Sequence, residues 1–149
     1  MRIHEIINQR REAQHLAPLA YDTSLAALAA DHSQDMGQHS YFGHINFRGE
    51  NASQRAKAAG LTTQKQKGDR VITGIAENIY RIPMYSWVVR WRGNTYHWKT
   101  VDEIAQSVVS GWMASPGHRR NLLSPDAERH GLGIYIAADN NIYVTQDLW

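Results

Sequence analysis

An α+β fold is predicted for this chain of 149 residues. Apolar residues recur at helical spacing as far as Gly60, β-branched and aromatic runs fill residues 71–99, and an amphipathic helix and two further strands close the chain. The length favours one domain spanning residues 1–149, since compact domains most often run to roughly 100 to 200 residues. With 42% apolar and 20% charged residues the chain can bury a core. Sixteen Lys and Arg against fourteen Asp and Glu leave a net charge of only +2, so bulk charge gives no support to a nucleic-acid partner. The absence of cysteine removes disulfide scaffolds, Cys-ligated zinc, iron-sulfur clusters and thiol nucleophiles together. No apolar run approaches the roughly 20 residues that cross a bilayer, and residues 1–11 are too polar for a secretory signal. The sequence therefore suits a cytosolic protein or a mature domain whose export signal has been removed.

The opening helix is predicted from Ile3, Ile6, Ile7, Ala13 and Leu16, with Pro18 as its stop. Asp22 or Thr23 caps a second helix, in which Leu25, Leu28, Ala29, His32 and Met36 share one stripe ending near Gly37. Asn51 caps a short third helix through Ala52, Arg55, Ala56 and Ala59, which Gly60 terminates in a left-handed conformation. Residues 61–68, with Gln64, Lys65 and Lys67, read as a mobile loop before a β-like run over 71–82. Two aromatic-rich runs, 85–92 and 95–99, flank Gly93-Asn94 and predict a hairpin. Residues 102–114 form an amphipathic helix through Ile104, Ala105, Val108, Val109 and Trp112, closed by Pro116. Residues 131–149 read as two strands around Asp139-Asn140-Asn141, and no internal repeat is present.

Most of the eight histidines read as ordinary. His4, His15, His97 and His130 have polar or aromatic neighbours, and His32 sits on an apolar helix stripe as a hydrogen-bonded core residue. His44, in Ser40-Tyr41-Phe42-Gly43-His44, and His118, in Ser115-Pro116-Gly117-His118, each follow a helix, where irregular segments tend to carry binding groups. Familiar catalytic signatures fail. There is no His-Glu-x-x-His, phosphate-binding glycine loop or EF-hand run. Ser115 near His118 is no nucleophile elbow, because Met113 stands where the elbow needs glycine and Pro116 follows directly. Glu50 and Glu77 could pair for acid-base work, but so could any two of fourteen acidic residues.

The order of these segments resembles the CAP superfamily, the SCP-like or cysteine-rich secretory and pathogenesis-related proteins. The likeness covers almost the whole chain: Leu16-Ala17-Pro18-Leu19, Phe42-Gly43-His44, Arg55-Ala56-Lys57-Ala58-Ala59-Gly60, and Gly74-Ile75-Ala76-Glu77-Asn78-Ile79, similar to Gly-Glu-Asn-Ile with Ala76 in place of glycine. The most specific stretch is Trp112-Met113-Ala114-Ser115-Pro116-Gly117-His118-Arg119-Arg120-Asn121-Leu122-Leu123, of bacterial type. The resemblance implies a three-layer α-β-α sandwich with a central antiparallel sheet, to which this chain adds extra length between Glu77 and Trp112 filled by the predicted hairpin around 85–99. It also implies a cleft of two His and two Glu, of which His44, Glu77 and His118 are present, while Ser115 stands at the second Glu position. Gly49-Glu50-Asn51 matches the letters of the glutamate motif but precedes the third helix, whereas the family motif follows it.

Two neutral imidazoles and a carboxylate can hold a divalent cation such as Zn with a position left for water. The expected site is thus His44 and His118, with Glu77 as third ligand or as the partner that orients a ligand. No organic cofactor is expected. The favoured reading is a secreted or cell-surface binding module of prokaryotic type with Ser115 in its cleft. The alternatives are a metal-dependent hydrolase with Glu77 as base, and lipid or sterol binding. Trp87, Val89 and Trp91 alternate onto one hairpin face. With Tyr96 and Trp98 they either stabilise the hairpin or form a recognition surface for a protein, glycan or lipid. Asn51-Ala52-Ser53 is a glycosylation sequon of little meaning in a prokaryote.

Overall fold

In the computed structural model, which describes residues 1–149, the last strand lies innermost. The four-stranded sheet runs in the order β1 (Ala20–Tyr21), β7 (Arg129–Ile136), β8 (Asn141–Leu148), β4 (Ala76–Pro83). β8 is antiparallel to both its neighbours, and every residue from Ile142 to Trp149 is buried, as a strand covered on both faces requires. The sheet is antiparallel except at one edge, where the two-residue β1 pairs in parallel with β7.

Strand alternation sorts β8 between two helical layers and gives the α-β-α sandwich. Ile142, Val144 and Leu148 pack with Ile3, Ile6 and Ile7 of α1 (Arg2–Glu12), Val108, Val109 and Trp112 of α4 (Val101–Ala114), and Leu122 of α5 (Pro116–Leu122). The intervening residues face α2 (Thr23–Gln38) and α3 (Ala52–Ala58). Tyr143 lies with Met36 and Ile79, and Trp149 with Leu25, Leu28 and Ala56. Side chains fix the helix starts. Asp22 accepts from the amides of Ser24 and Leu25, and Asn51 with Gln54 and Thr100 with Glu103 make reciprocal capping boxes.

Four local expectations are corrected. Residues 61–68 do not end as a loop: β2 (Gln64–Lys67) pairs with β3 (Arg70–Thr73) across Gly68. The lysines that look solvated in sequence are anchored, Lys65 Nζ donating to the Asp126 carbonyl at 2.8 Å and Lys67 Nζ to that of Pro125 at 2.7 Å. The run over 71–82 is divided by Gly74, whose φ of +95° only glycine adopts readily. Pro116 does close α4, but it also opens α5, because the first helical position needs no amide hydrogen. His118 is therefore helical rather than in an irregular segment. β5 (Tyr85–Arg90) and β6 (Asn94–Trp98) form the aromatic hairpin, with a bulge between Tyr85 and Trp87 and Trp91-Arg92-Gly93 as the turn in place of Gly93-Asn94.

α2 lies against β7 at backbone contact. A Cβ at Gly131 would overlap the Leu25–Ala26 peptide and one at Gly133 the Ala29–Ala30 peptide. Gly133→Ala is therefore expected to lower stability in urea unfolding by about 3 kcal/mol, whereas Gly43→Ala, which meets nothing within 4 Å, changes it by under about 0.5 kcal/mol.

The α1 side of the sheet buries a histidine. His130, wholly inaccessible, takes a hydrogen bond from Gln146 Nε2 to Nδ1 at 2.8 Å and so donates from Nε2 to His4 Nδ1 at 2.7 Å. Burial pushes its pKa down to about 3 from 6.5, so the folded state refuses a proton that the unfolded chain accepts near 6.5. The stability this provides is complete above pH 6.5 and is lost as pH falls from there towards 3. At pH 5 the loss should be about 2 kcal/mol. Urea unfolding at pH 7 and pH 5 should show this difference for the native chain and a correspondingly smaller one for His130→Gln.

Candidate functional site

The start of β4 organises the site, because Glu77 and Asn78 point to opposite faces of the sheet. On the α3 side, Arg55 Nη2 donates to Glu77 Oε2, and both side chains are about 5% exposed or less. Arg55 Nη1 donates to the carbonyls of His44 and Glu50, each at 2.9 Å. His32 of α2 donates from Nε2 to the Gly43 carbonyl at 2.9 Å. Two consecutive residues, Gly43 and His44, are thus held by side chains from α2 and α3. The His44 ring completes the arrangement with Nδ1 2.8 Å from Glu77 Oε1. A carboxylate only accepts, so the proton lies on Nδ1 and the Nε2 lone pair faces away from Glu77.

On the other face Asn78 docks the helix that carries His118. Asn78 Nδ2 donates to the His118 carbonyl at 3.3 Å, and Asn121 Nδ2 returns to Asn78 Oδ1 at 2.9 Å and to the Glu77 carbonyl at 3.1 Å. Arg11, buried in the core, holds the far end of α5 by donating to the Leu122 carbonyl at 2.7 Å. The structure thereby brings the His44 and His118 rings to a centroid separation of 6.3 Å with their planes at 53°. Burial, and then the neighbouring His44, lower the pKa of His118, which favours the neutral, lone-pair-bearing imidazole.

The electrostatics rest on a second acid. Asp147 pairs with Glu77 in the β4–β8 register, is inaccessible, and has no hydrogen-bond partner on either oxygen within the protein's donor set. Burial first, and the charge of Glu77 second, raise its pKa well above the carboxylate range. One guanidinium does not balance two buried carboxylates, which favours the neutral form of Asp147 beside Glu77.

Both oxygens of Glu77 are engaged, one by His44 and one by Arg55. No group of three or more His, Cys, Asp or Glu is arranged around a single point for an ion. The residues that could hold a cation here are the His44 and His118 imidazoles, with Glu77 hydrogen-bonded behind His44. A depression of about 240 Å³ beside it is lined by His44, Asn51, Ala52, Ser53, Ile75 and Glu77. Ser115 lies outside this lining, half-buried at the α4–α5 junction with no capping hydrogen bond. The hairpin aromatics divide between faces. Trp87 stacks on His97 on one, with Val89 beside it in the strand pattern, and Tyr96 stacks on Trp98 at 5.0 Å on the other. Trp91, at the turn, is 77% exposed.

Arg55, His32 and Asp147 are absent from the sequence-predicted site. His32 was expected only as a hydrogen-bonded core residue, which it is, and the signal for Arg55 was an arginine on the packing face of a short helix, which implies a buried partner.

Known proteins support the fold and its kinship. The model of the cysteine-rich secretory protein family, CAP, matches residues 4–148. The uncharacterized protein YkwD of Bacillus subtilis (strain 168) is 29% identical over 132 residues, covering 89% of this chain and 40% of its own length. A solved extracellular protein containing a SCP domain from Bacillus anthracis str. Ames is 25% identical with a TM-score of 0.69, over 98% of this chain and 38% of that one. An outer surface protein from Borrelia burgdorferi shares the fold at a TM-score of 0.72 and 17% identity, over 98% of this chain and 87% of that one. The chain thus spans about two fifths of the two longer Bacillus proteins.

The buried charges predict an asymmetric response. Arg55→Met leaves Glu77 uncompensated and should cost about 3–5 kcal/mol in urea unfolding at pH 7. Asp147→Asn, which preserves a neutral donor, should cost less than about 1 kcal/mol; a loss as large as that of Arg55→Met would show Asp147 to be ionised.

Proposed function

Since the chain belongs to the cysteine-rich secretory protein family, we propose that it is an extracellular binding module whose cleft takes a divalent cation such as Zn between His44 and His118. The carrying observation is the hydrogen bond from His44 Nδ1 to the buried Glu77, which fixes the tautomer and turns Nε2 outward beside the second imidazole. Two imidazoles on one tetrahedral zinc, with Zn–N near ~2.0 Å, have ring centroids about 5 Å apart. The rings here need only a modest closure from 6.3 Å. Two protein ligands make a weak site with open positions, and a bound ion would supply an electrophilic anchor for an oxygen-bearing ligand.

The remaining chain atoms hold rather than react. Glu77 orients His44, Arg55 holds Glu77 in place, and Asn78 positions His118. For the hydrolase reading, Glu77 would have to act as base while already accepting from His44 on one oxygen and from the Arg55 guanidinium on the other, which lowers its basicity. That requirement favours binding over turnover. The extracellular assignment follows the description of the Bacillus anthracis relative, and the activity of the longer proteins is a separate matter from that of this domain.

Calorimetric titration with zinc on the native chain should give saturable heat that disappears in the His44→Ala, His118→Ala double variant, and Glu77→Gln should weaken binding by about 10- to 100-fold. Equal heats in the native and double-variant proteins would remove the site. Chelator-sensitive turnover of peptides or esters, lost with His44→Ala, would replace the binding reading with the hydrolase.

A further inference from the structure

The β5–β6 hairpin is joined to the body but belongs to no shared sheet. It hydrogen-bonds as a two-stranded ribbon of its own, apart from the four-stranded sheet. Its outer face carries Trp87 and Val89, 52% and 40% exposed, its turn carries Trp91, and Trp98 is exposed on the opposite face. Such a concentration of uncovered indoles on one small element exceeds the scatter of single apolar residues normal on a protein surface.

The charges in this region are segregated as well. No acidic residue occurs between Glu77 and Asp102, whereas Arg81, Arg90, Arg92 and Lys99 all do. The rest of the chain therefore holds twelve Lys and Arg against fourteen acids. Arg90 and Arg92 are exposed at the hairpin end, and neither belongs to an ion pair.

We propose that this hairpin docks the domain onto an anionic lipid bilayer surface, with Trp91 and Trp87 at the headgroup level and Arg90 and Arg92 against lipid phosphates. Indoles are amphipathic and favour the interface between water and hydrocarbon, and cations beside them gain from the negative surface potential. The combination distinguishes a bilayer from a soluble phosphate polymer. A polymer would satisfy the arginines and leave the indoles in water, whereas a bilayer relieves both. An exposed turn led by Trp91 can enter a headgroup layer without any rearrangement of the sandwich behind it.

Sedimentation of the full chain with vesicles tests this. It should bind phosphatidylglycerol–phosphatidylcholine vesicles and not phosphatidylcholine alone, with tryptophan emission moving to shorter wavelength. Arg90→Ala and Arg92→Ala should each weaken binding roughly fivefold. The Trp87→Ala, Trp91→Ala variant, whose changes lie on an exposed ribbon, should lose the binding while retaining the native circular dichroism spectrum. The His44→Ala, His118→Ala variant should bind vesicles as the native chain does, so failure of the cleft reading and failure of this one are distinguishable. Absence of binding to anionic vesicles, binding indifferent to both tryptophans, or equal capture by soluble poly(glycerol phosphate) without a change in emission would each overturn the proposal.

Discussion

The buried Arg55–Glu77 ion pair is the constraint on which the site depends. Removing two charges from water is costly, and the mutual attraction offsets that cost only when geometry is good and the remaining donors are satisfied. Arg55 meets the condition by directing its other hydrogens to the carbonyls of His44 and Glu50. The contacts that make the pair tolerable are therefore the ones that fix the backbone under His44. Stability and site geometry share atoms here, so neither can be altered alone.

That constraint extends across the sheet through strand alternation. Glu77 lies opposite Asp147, and Asn78 opposite Gln146, in the same register. One face of the β4–β8 pair thus carries two acids and the other two amides. The acid face holds His44. The amide face holds the His118 carbonyl and continues inward, Asn78 Nδ2 donating to Gln146 Oε1 at 2.9 Å and Gln146 to His130, which donates to His4. The cleft therefore straddles the end of the sheet, with one imidazole supplied from each layer. A one-residue slip would exchange acids for amides, which is why a strand buried on both faces is well suited to hold this register.

The fold was legible where local pattern and long-range packing agree. The stripe of Leu25, Leu28, Ala29, His32 and Met36 is a packing face because it is apolar, and its cap Asp22 is in place by local chemistry alone. His44, Glu77 and His118 were legible through family likeness, and the first two meet in a hydrogen bond. Arg55 and Asp147 were not, because their burial comes from partners distant in sequence. Asp147 follows Gln146 in what reads as an ordinary polar strand end, and its raised pKa comes from burial first and from Glu77 opposite it in the register second, neither of which shows in the local sequence. The β2–β3 hairpin was hidden for the same reason. Lys65 and Lys67 look like solvent-facing charges until the carbonyls of Pro125 and Asp126 are seen to receive them.

Net charge gave the least local information. A chain at +2 is electrostatically plain on average, yet its charges are divided between two surfaces of opposite design. Around Glu77 they are withdrawn from water and balanced nearly one for one, so their fields act mainly to orient neighbours. Along the hairpin the cations stand exposed with no acid in the same stretch of sequence to balance them, beside indoles that the core does not take up. Buried, balanced charge gives geometry but little reach into solvent, whereas exposed, unbalanced charge gives reach but little geometry. The sandwich keeps the two apart by putting one at the sheet's end and the other on a ribbon bonded only to itself.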